Sequence, residues 1–214
     1  MKKWIAKAIV QKTISFLLWS NRINFLFQKY VTRGVQLSDE YFFDRLQHAS
    51  DHLKSWYSTN KNSPAVSLEL GTGWYPVVPL SLFLSGTEKI FTIDISKLTN
   101  RERLMTTLQK FHSVGETELK KYIPLNQQRY VILESVLKNL PSTFEKICEQ
   151  FNLTCLVKDA AKTDFEDGSV DLITSNNTFE HVYPTALKNI LKEFFIKTLL
   201  EIVNKEYHCL HPIQ

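Results

Sequence analysis

Ala65-Val66-Ser67-Leu68-Glu69-Leu70-Gly71-Thr72-Gly73 is the stretch on which the reading of this chain turns. A short, mostly apolar run of strand length ends in two glycines one residue apart, the pattern of a buried strand running into a tight turn. Glycines at such a turn remove the Cβ atoms that would hold a ligand off the backbone. Working outward, Pro76 to Leu84 reads as a helix whose prolines fall in the first turn, where amide donors have no intrahelical partner. Lys89 to Ile95 reads as a second strand, Thr154 to Val157 as a third and Val170 to Ser175 as a fourth, entered through Asp167-Gly168. Pro184 to Val203 reads as a helix. Strands alternating with helices predict an α/β fold.

The architecture expected is Rossmann-like, a mostly parallel sheet with helices on both faces. In such a sheet ligands bind beyond the carboxyl ends of the strands. Acids stand at those ends. Asp94 closes Ile90-Phe91-Thr92-Ile93-Asp94-Ile95, 23 residues past Gly71, near the spacing of a carboxylate that accepts ribose hydroxyl hydrogens. Asp159-Ala160 closes Leu156-Val157-Lys158-Asp159-Ala160. The fourth strand runs into Asn176-Asn177-Thr178-Phe179-Glu180-His181. Each residue also has a plain structural reading: Glu69 pairing with a core donor, Asp159 capping the next turn, Asn176 capping its loop.

These four segments, in this order, resemble the class I S-adenosylmethionine-dependent methyltransferases over roughly residues 65 to 200. The nearest likeness is to the branch with an Asn-bearing loop and Glu-His after the fourth strand. The resemblance implies that Glu69, Gly71, Thr72 and Gly73 surround the methionine part of S-adenosylmethionine. It implies that Asp94 binds the ribose hydroxyls and that Asp159, with the backbone of Ala160, faces the adenine. Asn176 and Asn177 would line the methyl-transfer pocket. His181 is the candidate general base, with Glu180 to orient it, although such a histidine also serves structural roles in this branch. Methyl transfer leans on alignment more than on acid–base chemistry, so the lack of an obvious base does not weigh against it.

Two other function classes compete. A nicotinamide-dependent oxidoreductase needs Gly-x-Gly-x-x-Gly, and here Pro76 stands at the third position of Gly71-Thr72-Gly73-Trp74-Tyr75-Pro76. A non-catalytic or truncated methyltransferase-like chain is the stronger rival. No glycine follows Gly168, and only nine residues follow Lys205. The sequence is therefore expected to be C-terminally incomplete. An unpaired edge would then run along Val170–Ser175, with weak turnover and self-association. Methylation of nucleic acid is disfavoured, because Asn176-Asn177-Thr178-Phe179 stands where an Asn-Pro-Pro-Tyr-type loop would be. A small-molecule or lipid-like acceptor is expected.

The 214-residue chain is 43% hydrophobic and 22% charged, which predicts a packed core. Its net charge of +4 is uneven. Seven basic residues precede the first acid, Asp39, and the remainder carries 19 basic and 22 acidic residues. This basic arm also holds Trp4, Ile5, Phe16 and Trp19, with charges too frequent for a membrane span of roughly 20 residues. It is expected to pack on the domain, with peripheral contact to an anionic membrane as the alternative. Cys148, Cys155 and Cys209 give no Cys-x-x-Cys spacing, so no thiolate metal site or disulfide framework is expected, and a cytoplasmic setting fits.

Residues 1–60 read as a helical N-terminal extension, including a helix over 37–57 with Ser38 as N-cap and Tyr41, Phe42, Leu46 and Leu53 on its apolar face. Residues 61–214 read as the methyltransferase-like domain. A helical insertion at about 97–152, with helices around Arg101–Phe111 and Arg129–Phe151, is expected to act as a lid or to contact substrate.

Overall fold

The computed structural model describes residues 37–198. Four parallel strands form one sheet in the order β3-β2-β1-β4: β1 (Val66–Leu70), β2 (Lys89–Asp94), β3 (Leu153–Val157) and β4 (Leu172–Ser175). β1 thus lies between β2 and β4, and the strand order reverses beside it. Asp171 sets the β4 register, since its carboxylate accepts the Val66 amide hydrogen at 2.8 Å.

Among the described residues, six helices cover one face of the sheet. α1 (Asp39–Tyr57) and α2 (Val77–Leu84) flank β1 in sequence. Between β2 and β3 follow α3 (Arg101–Val114), α4 (Glu116–Leu119), α5 (Gln127–Asn139) and α6 (Phe144–Gln150). The Ser38 hydroxyl does cap α1, accepting from the Tyr41 amide at 3.1 Å. All eight residues of α2 are buried, as its nearly unbroken apolar sequence requires.

Phe42, Leu46 and Leu53 of α1 share one core with Phe83 of α2 and with Leu108, Phe111, Leu133 and Ile147 of the β2–β3 crossover. The expected insertion forms the body of this layer, and Leu98 at its start, just before α3, lines the large pocket described below. The helix expected over Arg129–Phe151 is two helices. Leu140 takes a left-handed conformation (φ 43°), and Pro141 after it cannot continue the α5 hydrogen-bond ladder. The sequence boundary at residue 60 also divides what the fold packs together, because α1 belongs to this core.

The other face is covered by α7 (Pro184–Lys197), through Ile190 and Phe194, and by the 158–171 connection. No helix lies in that connection. It is held instead by the Glu193 carboxylate, which accepts from the Thr163 amide at 2.8 Å and its hydroxyl at 2.6 Å, and by Phe165 packing edge-on to Phe91 at 4.9 Å.

The helix expected to reach Val203 stops at Lys197. Thr198 is extended and pairs in parallel with Val170, whose amide donates to the Lys197 carbonyl at 3.0 Å. The edge expected to be open along Val170–Ser175 is thus engaged at its first residue. The basic arm and residues 199–214, on which the expected incompleteness rests, lie outside the described residues. Among the described residues no helix is long and apolar enough to cross a membrane.

Candidate active site

A pocket of about 600 Å³ opens beyond the carboxyl ends of the strands. All the sequence-predicted site residues line it: Glu69, Gly71, Thr72, Gly73, Asp94, Asp159, Ala160, Asn176 and His181. Parallel strands place them there, since the end of each delivers its terminal residues to the same edge of the sheet.

The glycine turn is held from below and from the side. The Gly71 amide donates to the Ile93 carbonyl at 2.7 Å, and the buried Thr72 hydroxyl donates to Thr92 at 2.7 Å. Both glycines have positive φ, +91° at Gly71 and +63° at Gly73. Their reasons differ. A Cβ on Gly71 would meet Thr178 of the loop after β4, whereas nothing lies within 4 Å of one on Gly73. Gly71 lets two loops close on one another, and Gly73 leaves space for a ligand against the backbone.

Asp94 is half-buried, and burial raises its pKa, while amide donors from Ser96, Gly73 and Ile95 oppose the shift. Its carboxylate accepts from the Ser96 amide at 3.2 Å. Asp159 caps a turn, accepting from the Ala161 amide at 2.9 Å, and also lines the pocket. Lys158 beside it is bound to the Thr163 carbonyl at 2.7 Å and to Asp164 at 2.6 Å.

Glu69 is 4% exposed. Its Oε1 accepts from Asn176 Nδ2 at 2.9 Å, and its buried Oε2 has no hydrogen-bond partner. Burial pushes its pKa up to about 8, against the Asn176 hydrogen bond and the charge of Arg45. Asn176 therefore does more than cap its loop. On its far side Asn176 Oδ1 lies 3.0 Å from His52 Nε2.

Arg45, Tyr41 and His52 are the residues missed in the sequence. All three come from α1, and Tyr41, expected in the core, lines the pocket instead. The Arg45 guanidinium lies 4.9 Å from the centre of the Tyr41 ring and, with the Asn177 amide oriented to accept, donates to Asn177 Oδ1 at 2.9 and 2.8 Å. Arg45 Nε is buried without a hydrogen-bond acceptor. Tyr41, Arg45, His48 and His52 recur at helical spacing as one stripe beside the apolar stripe of Phe42, Leu46, Ala49 and Leu53. That second stripe was the available signal.

The rest of the wall is largely apolar and aromatic, with Trp74, Tyr75, Val78, Pro79 and Val182. The Tyr41 and Tyr75 rings meet edge-on at 6.4 Å, and Arg103 stacks on Trp74 at 4.6 Å. His181 ends a short 3-10 turn, Phe179–His181, and lines the pocket. No cluster of three or more metal-ligating side chains occurs among the described residues.

Residues 115–195 match the family model described as a methyltransferase domain. The matched segment takes in β3, β4, the Asn176–His181 loop and most of α7, and it supports the class I resemblance read from the sequence. Among solved structures, the chain is similar to a candidate S-adenosyl-L-methionine-dependent methyltransferase from Methanococcus maripaludis, at 10% identity and a TM-score of 0.43. That alignment covers 84% of this chain and 57% of the other. No curated protein matches the chain.

Proposed function

We propose that this chain, with its class I methyltransferase fold and a segment that matches the methyltransferase domain, binds S-adenosylmethionine and transfers its methyl group to a small-molecule or lipid-like acceptor. The observation that carries this reading is the single pocket wall formed by Glu69, Gly73, Asp94, Asp159 and Asn176, all delivered by the carboxyl ends of parallel strands. The residues fit the cofactor's chemistry. Glu69 Oε2 is a buried polar atom without a hydrogen-bond partner, which an ammonium supplies, and Arg45 Nε is buried with no hydrogen bond and only the Asp44 carboxylate at 3.8 Å, so a ligand carboxylate suits it. The open space over Gly73 is what a ligand lying on the turn requires.

When bound, S-adenosylmethionine supplies a methyl group on a sulfonium, already activated for attack. The protein's task is to hold and align. Asp94 accepts from the ribose hydroxyls. Asp159 and the Ala160 backbone border the adenine. Glu69 and Asn176 face the ammonium, and Arg45 the carboxylate. The aromatic and apolar wall excludes water and orients the acceptor, which is catalysis by proximity. His181 lines the wall and is the candidate to take the acceptor's proton. The apolar character of Tyr41, Tyr75, Val78, Pro79 and Val182 supports an uncharged or amphipathic acceptor over a nucleic acid.

Calorimetric titration tests the cofactor assignment. S-adenosylmethionine and its demethylated product should bind and a nicotinamide dinucleotide should not. Asp94→Ala should weaken binding by roughly 1.5–3 kcal/mol, the scale of hydrogen bonds to a charged group. Undiminished affinity in that variant would remove Asp94 from the site.

The basic arm is proposed to pack on the domain. Deleting residues 1–33 should then lower stability, and the intact chain should not pellet with anionic vesicles. Pelleting that added salt reverses would assign the arm to a membrane surface instead.

A further inference from the structure

α1 lies outside the segment matched by the methyltransferase domain model, yet it reaches the centre of the site. The contact is a chain of three side chains: His52 to Asn176 at 3.0 Å, and Asn176 to Glu69 at 2.9 Å. An amide has two unlike ends, an acceptor oxygen and a donor nitrogen. Asn176 turns its nitrogen to Glu69 Oε1, so its oxygen faces His52, and the imidazole must place its hydrogen on Nε2.

The opposite orientation is also self-consistent, but only with different protons. If His52 carried its hydrogen on Nδ1, Nε2 would accept, the amide nitrogen would turn to it, and the amide oxygen would face Glu69. A buried carboxylate against that oxygen would be two acceptors in contact, so Glu69 would have to keep its proton. The tautomer of His52 therefore decides whether the buried acid meets a donor or an acceptor.

We infer that His52 is a positioning residue of the cofactor site, whose Nε2–H fixes the Asn176 amide so that Glu69 can stand as an anion when the cofactor's ammonium arrives. The inference rests on the proposed binding of S-adenosylmethionine. Burial of the ring lowers the His52 pKa, which keeps the imidazole neutral and able to hold one defined tautomer. The groups around Glu69 are Arg45 of α1, Cys155 of β3 and Asn176 beyond β4. His52 faces Asn176, with His48 and Asp51 nearby on its own helix. Arg45 favours the Glu69 anion by its charge, and His52 favours it through the amide. A cation binding beside Glu69 Oε2 completes the set.

The test uses the full chain and S-adenosylhomocysteine, titrated by calorimetry between about pH 6 and 9, with wild type, His52→Gln and His52→Leu compared at each pH. The ligand's own ionisation is common to all three and cancels in the ratios. Glutamine carries an amide nitrogen that can donate to Asn176, so His52→Gln should bind within about twofold of wild type. Leucine cannot donate. His52→Leu should bind about tenfold more weakly near neutral pH, and the midpoint of its pH dependence should move upward as Glu69 loses its ordered donor. A uniform loss at every pH with an unmoved midpoint is the mark of a merely structural role and overturns the inference. Wild-type affinity in the leucine variant overturns it as well. Nitrogen-15 NMR of the unsubstituted protein in its S-adenosylhomocysteine complex reads the tautomer directly. A proton on Nε2 supports the inference, and a proton on Nδ1 or a charged ring overturns it even if the leucine variant fails to fold. Absence of binding by wild type at any pH would instead bring down the proposed function itself.

Discussion

The Thr178 hydroxyl occupies the place a side chain on Gly71 would need: a Cβ there would lie 2.1 Å from Thr178 Oγ1. That hydroxyl is not free to move aside. It lies within donating distance of the Leu70 carbonyl at 3.1 Å and the Asn176 carbonyl at 3.2 Å, so it joins the loop after β4 to the end of β1. Gly71→Ala should therefore break a loop-to-loop junction at a residue already in a left-handed conformation, with a stability loss of about 1–3 kcal/mol.

Gly73→Ala should behave differently. Its added methyl group meets open space, so the expected stability loss is that of the backbone conformation alone, about 1–2 kcal/mol. Its larger effect should be on cofactor affinity, because the methyl group enters the volume assigned to the ligand. Thermal melts and titrations of the two variants side by side check this. Full affinity in a folded Gly73→Ala protein would move the ligand off the turn.

Glu69 gives the ligand-free protein a characteristic pH dependence. Its folded pKa of about 8 stands above the ordinary 4.5. Between those values the folded state keeps a proton that the unfolded chain has released. Stability contributed by this group should therefore fall as pH rises, by about 1.4 kcal/mol per pH unit, and level off above the folded pKa. Urea unfolding across this range should show the slope in wild type, and Glu69→Gln should remove it. An unchanged slope in the glutamine variant would assign the dependence to other groups.

Arg45 is checked with two ligands that differ at one end. S-adenosylhomocysteine carries the amino-acid carboxylate, and 5′-methylthioadenosine does not. Arg45→Gln should weaken the first by about tenfold or more, the scale of a charge-assisted hydrogen bond, and leave the second nearly unchanged. Arg45→Lys should restore little, because an ammonium lacks the planar pair of donors. Equal losses for both ligands would place Arg45 elsewhere in the pocket.

The residues near the strand ends were legible in the sequence because each stands in or just past a short apolar run. Glu69 is the one charged residue of a run that enters the glycine turn, Asp94 closes its strand and Asp159 follows two residues after its own, and a parallel sheet then has one edge at which to gather them. The role of α1 was not legible in the same way. Its polar stripe of Arg45, His48 and His52 resembles the solvated side of an amphipathic helix, and only docking on the sheet turns Arg45 and His52 toward the site. Tyr41 was misplaced for a related reason: helical spacing marks adjacent faces only about 100° apart, and an aromatic ring suits a core and a pocket wall equally well. The break at Leu140-Pro141 is readable in the sequence from the proline. The end of α7 at Lys197 was not readable, since apolar residues continue through Ile196-Lys197-Thr198-Leu199-Leu200 with no glycine to stop the helix.

The separation of 124 positions along the chain between His52 and Asn176 also fixes an order of events in the life of the chain. Synthesis delivers α1, β1 and β2 long before Asn176 exists. Until β4 inserts beside β1, Glu69 lacks the partner and the cover that give it its unusual protonation, and it behaves as a solvated acid. Ligand competence cannot build up gradually as the polypeptide emerges; it appears when the two distant segments meet and the long loop between them closes, at an entropic cost that grows only slowly with its length. A ligand seated there bridges early and late parts of the chain. It would act as a clasp, protecting the sheet from local opening and from proteases by an amount that grows with the logarithm of its concentration above Kd.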